Sequence, residues 1–217
     1  SDVSFGKGLK TIGEYAFSAC SELIKVILPE GVTSLGEGVF YRCSDLPSIT
    51  IPNSVTYIGI GAFAQCSSLD TVVIPEKITE INDYTFLDCR SLLSVVIPES
   101  VTSIGEYAFY GCPIMQSITI PESVTSIGDY AFEGCSNLSS VTIGSGVMSI
   151  GFSPFYFCTS LQSITVNSGN EYFSSVDGNL YNKYVRVSLD GFIREEKKFD
   201  NVDELKKEIS ENLKMIV

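Results

Sequence analysis

Over most of its length the chain places apolar residues at the same positions every 23 residues. Ile12, Leu35, Ile58, Ile81, Ile104, Ile127 and Ile150 form one column, and Phe17, Phe40, Phe63, Phe86, Phe109, Phe132 and Phe155 a second. A third is Cys20, Cys43, Cys66, Cys89, Cys112, Cys135 and Cys158, and a fourth Leu23, Leu46, Leu69, Leu92, Met115, Leu138 and Leu161. Two more, headed by Val26 and Leu28, alternate with outward positions headed by Lys25 and Ile27, which is the period of a short strand. The Ile27 column is β-branched in every unit, and Pro29, Pro52, Pro75, Pro98 and Pro121 end the strand because proline cannot donate to a ladder. On the return path Ile104, Ala108, Phe109 and Cys112 stand at i, i+4, i+5 and i+8, one face of a short helix or a helical turn. The glycine after the isoleucine (Gly13, Gly36, Gly59, Gly105, Gly128 and Gly151, with Asn82 in the remaining unit) is expected to turn the chain.

A period of this length with L-x-x-L-x-L spacing predicts a leucine-rich-repeat solenoid. The expected architecture is a right-handed coil with a parallel sheet on its concave side and short helices or turns on its convex side. No single coil can bury its inward face, so stability is a nearest-neighbour sum over stacked coils. The runs I-P-E-S-V-T-S-I-G-E-Y-A-F-Y-G-C (97–112) and I-P-E-S-V-T-S-I-G-D-Y-A-F-E-G-C (120–135) closely resemble BspA-like leucine-rich repeats. The resemblance spans about residues 3–166. It implies a curved solenoid belonging to secreted or cell-surface proteins that adhere to host or matrix macromolecules, and it brings no catalytic residues to carry over.

The pattern predicts two regions. Residues 1–166 hold about seven units, the first partial: Val3, Phe5, Leu9 and Ile12 already stand in register, as in a chain cut from a longer protein or lacking an upstream cap. Residues 167–217 form either an irregular cap of hairpins and a helix or the start of a further segment. Asp177-Gly178 and Asp190-Gly191 are hairpin-turn dipeptides, the second between 185–187 and 192–193. Val202, Leu205, Ile209, Leu213 and Ile216 give 201–217 an amphipathic helical stripe, with Asn201 and Glu204 as a capping box. Charge shifts at the same boundary, from 6 basic and 16 acidic residues before it to 8 and 10 after it.

Composition narrows the function. The net charge of −12 argues against nucleic acid as a partner, and no apolar run is long enough for membrane insertion. There is no histidine, which removes the commonest general base and metal ligand, so no enzyme chemistry, metal or cofactor is expected. The cysteine column is expected to be core thiols, because side chains one strand apart (~4.8 Å) are too far for a disulfide. Gly59-Ile60-Gly61-Ala62-Phe63-Ala64 fits the loose dinucleotide fingerprint but lies in register with the repeat, outside any βαβ unit. The acidic columns of Glu30 and Glu14 are expected to be a solvated face.

What remains is contact. Val73, Leu93 and Val96 predict an apolar patch on the concave sheet, joined by Gln116 and Thr119 as candidate ligand-contact residues. The expected function is a non-catalytic module, monomeric, binding a protein or glycoprotein at a cell surface or in secreted form, the location following from the family resemblance. The alternative is a structural spacer that presents another domain. Tyr15, Tyr84, Tyr107 and Tyr130 share a position that suits either carbohydrate stacking or half-buried filling.

Overall fold

The structure, a computed structural model, describes residues 2–3, 5–6, 8–176 and 178–182, together with the paired backbone segments 184–185, 188–189, 192–193 and 197–198. Each coil contributes two short strands, stacked on those of its neighbours in two parallel rows. In one row Asp2–Val3 pairs with Lys25–Val26, Ser48–Ile49, Thr71–Val73 and Ser94–Val96 form a second ladder, and Ser117–Ile120, Ser140–Ile143 and Ser163–Val166 a third, with a single bridge from Ile27 to Thr50 joining the first two. In the other row Thr11–Ile12, Ser34–Leu35 and Tyr57–Ile58 form one ladder and Glu80–Ile81, Ser103–Ile104, Ser126–Ile127 and Ser149–Ile150 another. Register follows the repeat, as in Thr71↔Ser94, Val72↔Val95 and Val73↔Val96.

The six columns build most of the core, and a further column outside those six, Val32, Val55, Ile78, Val101, Val124 and Val147, is buried with them. Phe40, Phe63, Phe109, Phe132, Leu35, Leu46, Leu69, Leu92 and Met115 are fully buried in one continuous cluster. The inner phenylalanine rings stack with centroids 5.2–5.6 Å apart and planes within 16° of parallel.

The return path holds no α-helix among the described residues, and so none long and apolar enough to cross a membrane. Ile104, Ala108, Phe109 and Cys112 do face inward as the helical spacing predicts, but the backbone reaches that arrangement through turns. Every fourth residue is left-handed, for instance Tyr84 (φ 58°) and Asp88 (φ 55°), and such residues stop an α-helix. The amides then alternate. Those of Tyr84, Phe86 and Asp88 donate to Glu106, Ala108 and Tyr110 of the next coil at 2.7–2.9 Å. Those of Thr85, Leu87 and Cys89 donate three residues back within the coil. Each coil thereby satisfies alternate return-path donors only through its neighbour.

The glycines after the isoleucine do not turn the chain; the left-handed residue stands two places further on, a tyrosine at Tyr15, Tyr84, Tyr107 and Tyr130, and otherwise Gly38, Gly61 or Ser153. They are needed for close approach. A Cβ on Gly128 would lie 2.6 Å from the amide nitrogen of Glu106 and from the carbonyl carbon of Gly105 in the preceding coil. Gly59 meets Gly36 and Glu37 in the same way at 2.5 Å, while Gly61 takes the left-handed position at φ 59°, so the two glycines of the loose dinucleotide fingerprint serve close approach and a turn.

After Ser163–Val166 the pairing becomes antiparallel. Phe173–Val176 pairs with Asn179–Asn182, leaving the two-residue loop that Asp177-Gly178 predicts, with Gly178 at φ 77°. The hairpin lies over the last parallel strand, where Ile164 donates to the Gly178 carbonyl at 2.8 Å. Asn170, fully buried, pins the approach: its amide nitrogen donates to the carbonyls of Gly144 and Val147, and its oxygen accepts from the amides of Tyr172 and Phe173. Around Asp190-Gly191 the partner of Phe192–Ile193 is Ser188–Leu189, with Tyr184–Val185 against Lys197–Lys198 outside it. The helix expected over 201–217, with its capping box, lies outside the described residues.

Candidate functional site

Strand alternation sends one set of side chains into the core and the next out over the concave sheet. In Thr71–Val73 and Ser94–Val96 the burial pattern is exposed, buried, exposed. Three outward columns result: Ile24, Pro47, Asp70, Leu93, Gln116, Ser139 and Gln162; Lys25, Ser48, Thr71, Ser94, Ser117, Ser140 and Ser163; Ile27, Thr50, Val73, Val96, Thr119, Thr142 and Thr165. Lys25 and Asp70 are their charged members, so a chain of net charge −12 carries a nearly neutral face.

The candidate contact residues all lie on it. Val73 is 75% exposed and Val96 79%, paired in register on adjacent strands, and Leu93 at 50% stands beside them. Gln116 and Thr119, both exposed, continue the surface into the next coil. Ile24 and Ile27 make a second exposed apolar spot at the N-terminal end, with Thr50 bridged to Ile27 between the two. Apolar side chains protruding from a uncharged sheet exclude water on contact with a complementary flat surface.

Other candidate chemistry resolves into structure. The inner thiols donate to the phenylalanine carbonyl of the preceding coil, Cys89 to Phe63 and Cys112 to Phe86 at 3.2–3.3 Å. Burial disfavours the thiolate and pushes Cys43 and Cys135 up to about 12 and Cys158 to about 11, so these sulfurs are poor nucleophiles near neutral pH. Among the described residues no three Cys, Asp or Glu side chains converge to hold a metal.

The acidic columns do more than meet solvent. Asp83 and Asp129 accept from the amides of Glu106 and Phe152 one coil on. Glu122 accepts from the hydroxyl and amide of Ser145 and from the side chain of Asn167, stapling three coils, and these bonds hold its carboxyl below the usual carboxylate range. Tyr84, Tyr107 and Tyr130 stack on one another with centroids 5.0–5.3 Å apart. Tyr107 is covered on both faces and Phe152 meets Tyr130 edge-on, which favours the filling role over sugar stacking for these rings. Asn170 and the acidic staples have no signature in the sequence, because a bond from coil to coil leaves no mark in spacing.

Parallel stacked coils with an open concave sheet define a leucine-rich-repeat solenoid. The sequence model of the family described as BspA type leucine rich repeat region matches residues 1–116 and 79–178 in six copies, and the chain belongs to that family. No curated protein matches it. Among solved structures it is similar to the T. pallidum leucine-rich-repeat protein, with 34% identity over 71% of this chain and 73% of that one and a TM-score of 0.66. A Bacteroides ovatus leucine-rich-repeat protein shares 30% identity over 76% of this chain and 48% of its own, with a TM-score of 0.60. A leucine-rich cell-surface protein of Faecalibacterium prausnitzii shares 31% over 83% and 49%, with a TM-score of 0.56. The chain thus spans about half the length of the latter two.

Proposed function

We propose that this chain is a non-catalytic binding module that holds a protein or glycoprotein against its concave sheet, as part of a cell-surface or secreted adhesive protein. The observation that carries the reading is the exposed trio of Val73, Leu93 and Val96 on a nearly uncharged sheet face. The concave surface is where solenoids present an extended area to partners. The surface location draws support from the family and from the Faecalibacterium relative, itself described as a cell-surface protein.

The test is a panel of immobilised matrix proteins and glycoproteins probed with the wild-type chain and with a Leu93→Asp, Val96→Thr variant. The wild type is expected to bind at least one member. The variant should weaken that binding tenfold or more, since burying such side chains contributes roughly 1.5–3 kcal/mol each, while Tm barely moves because both are exposed. Binding unchanged in the variant moves the contact elsewhere, and no binding by the wild type favours the spacer.

A further inference from the structure

Two columns of the return path flank the cysteines and lie outside the buried cluster. One is the second left-handed position of each coil, held by Ala19, Arg42, Gln65 and Asp88 in the first four coils and by Gly111 and Gly134 in the next two. The other stands two residues on, with Ser21, Ser44 and Ser67 and then Arg90. A left-handed backbone favours glycine, yet Arg42, Gln65 and Asp88 occupy it at φ 61°, 60° and 55°. Arg42 and Arg90 are also the only arginines in residues 1–166. Both line one pocket of about 520 Å³, together with Gln65 and Ser67 of the coil between them and with Asp88.

The donors of this pocket are set in place by the protein itself. Nε of Arg42 donates to Oε1 of Gln65 at 2.7 Å, and the guanidinium lies over the Tyr41 ring, its carbon 5.0 Å from the centroid. With Oε1 engaged, the amide nitrogen of Gln65 is left to donate beside the terminal nitrogens of Arg42. Arg42 makes no ion pair among the described residues. At the other end Arg90 reaches one carboxylate oxygen of Asp88 at 3.4 Å, and the second oxygen accepts nothing among the described residues. Two guanidinium groups against one carboxylate leave the pocket positive on a chain of net charge −12.

We propose that this pocket binds an acidic sugar, a carboxylated unit of a glycan. The carboxylate takes the terminal nitrogens of Arg42 and the amide of Gln65, since a planar guanidinium fork matches a planar carboxylate. The ring hydroxyls donate to Asp88 and to the oxygen of Ser67, whose own proton goes to the Ser44 carbonyl at 3.3 Å. Asp88 decides between anions. Its charge opposes a phosphate group, which carries nearly two negative charges at neutral pH, and it suits a ligand with one charge and many hydroxyls. Ala19 is the apolar residue of the lining, so a hydrophobic peptide side chain finds little to bury against. The volume lies within the range of small-ligand sites. None of these residues belongs to the outward columns of the concave sheet, so this site and the concave contact stand or fall separately.

Titration calorimetry on the full chain tests this with sialyllactose, a galacturonate trimer, lactose, sulfated lactose and inorganic phosphate. At least one of the two carboxylated sugars is expected to bind, and which one does tells a sialate from a uronate. Arg42→Gln should weaken that binding tenfold or more by removing a charge-assisted pair. Gln65→Glu keeps an acceptor for Nε of Arg42, and so the bond between the coils, but turns the donor into a repelling carboxylate. The same loss is expected there with Tm unchanged. The Leu93→Asp, Val96→Thr variant should keep the wild-type affinity for the sugar. Binding of neither carboxylated sugar overturns the proposal, as does a Gln65→Glu variant that binds like the wild type. Lactose binding as well as the carboxylated sugar, or sulfated lactose or phosphate binding better, also overturns it, by giving the pocket to a neutral sugar or to another anion.

Discussion

Raising the pH from 8 to 10 is expected to remove most of the stability of this chain. Cys43, Cys66, Cys89, Cys112, Cys135 and Cys158 are buried. Burial pushes every one of these thiols up, to about 12 at Cys43 and Cys135 and to about 11 at Cys158, and the thiolate of a neighbouring coil, Cys20 for Cys43 and Cys158 for Cys135, adds to the effect. In the unfolded chain a thiol ionises near pH ~8.5. Above that pH the unfolded state has lost protons that the folded state keeps, so stability is whole below the unfolded pKa and falls as pH rises towards the folded one. Each thiol costs up to about 1.4 kcal/mol per pH unit. Six acting together approach the ~5–15 kcal/mol that holds a typical domain folded. Urea unfolding at pH 7.5, 9 and 10, followed by circular dichroism, should show a steep loss above pH 9, and a flat profile to pH 10 would contradict the buried column.

Gly128→Val is expected to destabilise the stack by more than about 3 kcal/mol, the range of overpacking and backbone strain. The added carbons would start 2.6 Å from the backbone of Gly105 and Glu106, and the coils cannot separate there without losing the bonds from Gly128 to Ile104 and from Tyr107 to Asp129. Gly13→Val is the matched control. Gly13 stands in the same column, yet a Cβ there meets nothing within 4 Å. Its Tm should fall by a few degrees at most. Equal losses at the two sites would mean that backbone freedom, not the approach of neighbouring coils, fixes the glycine.

The core was legible because stacking forces one side-chain type into one column. A phenylalanine every 23 residues has no other economical explanation, and the inner members of the named columns are buried, together with the further column from Val32 to Val147. The concave face was legible for the same reason, since alternation alone puts Val73 and Val96 outside when Val72 and Val95 go inside. The conformation of the return path was not. A left-handed tyrosine looks like any other tyrosine in a sequence, and an inward face at helical spacing is reached equally by successive turns. The glycine column misled because glycine serves both turning and close approach, and only coordinates tell Gly128, backed against a neighbour, from Gly178, which does turn a hairpin. Asn170 was invisible because its partners Gly144 and Val147 are brought to it by the coil.

Thiol reactivity tests the central claim, a single stack with the cysteines as rungs inside it, most directly. Cys20 is exposed, and the other six are buried beneath the carbonyls of the preceding coil. Titrated with a chromogenic disulfide at pH 8, the folded protein should show one fast thiol and six that react only as it unfolds, with all seven counted in denaturant. Several fast thiols in the folded chain, or fewer than seven after denaturation under reducing-agent-free conditions, would contradict the stacked core.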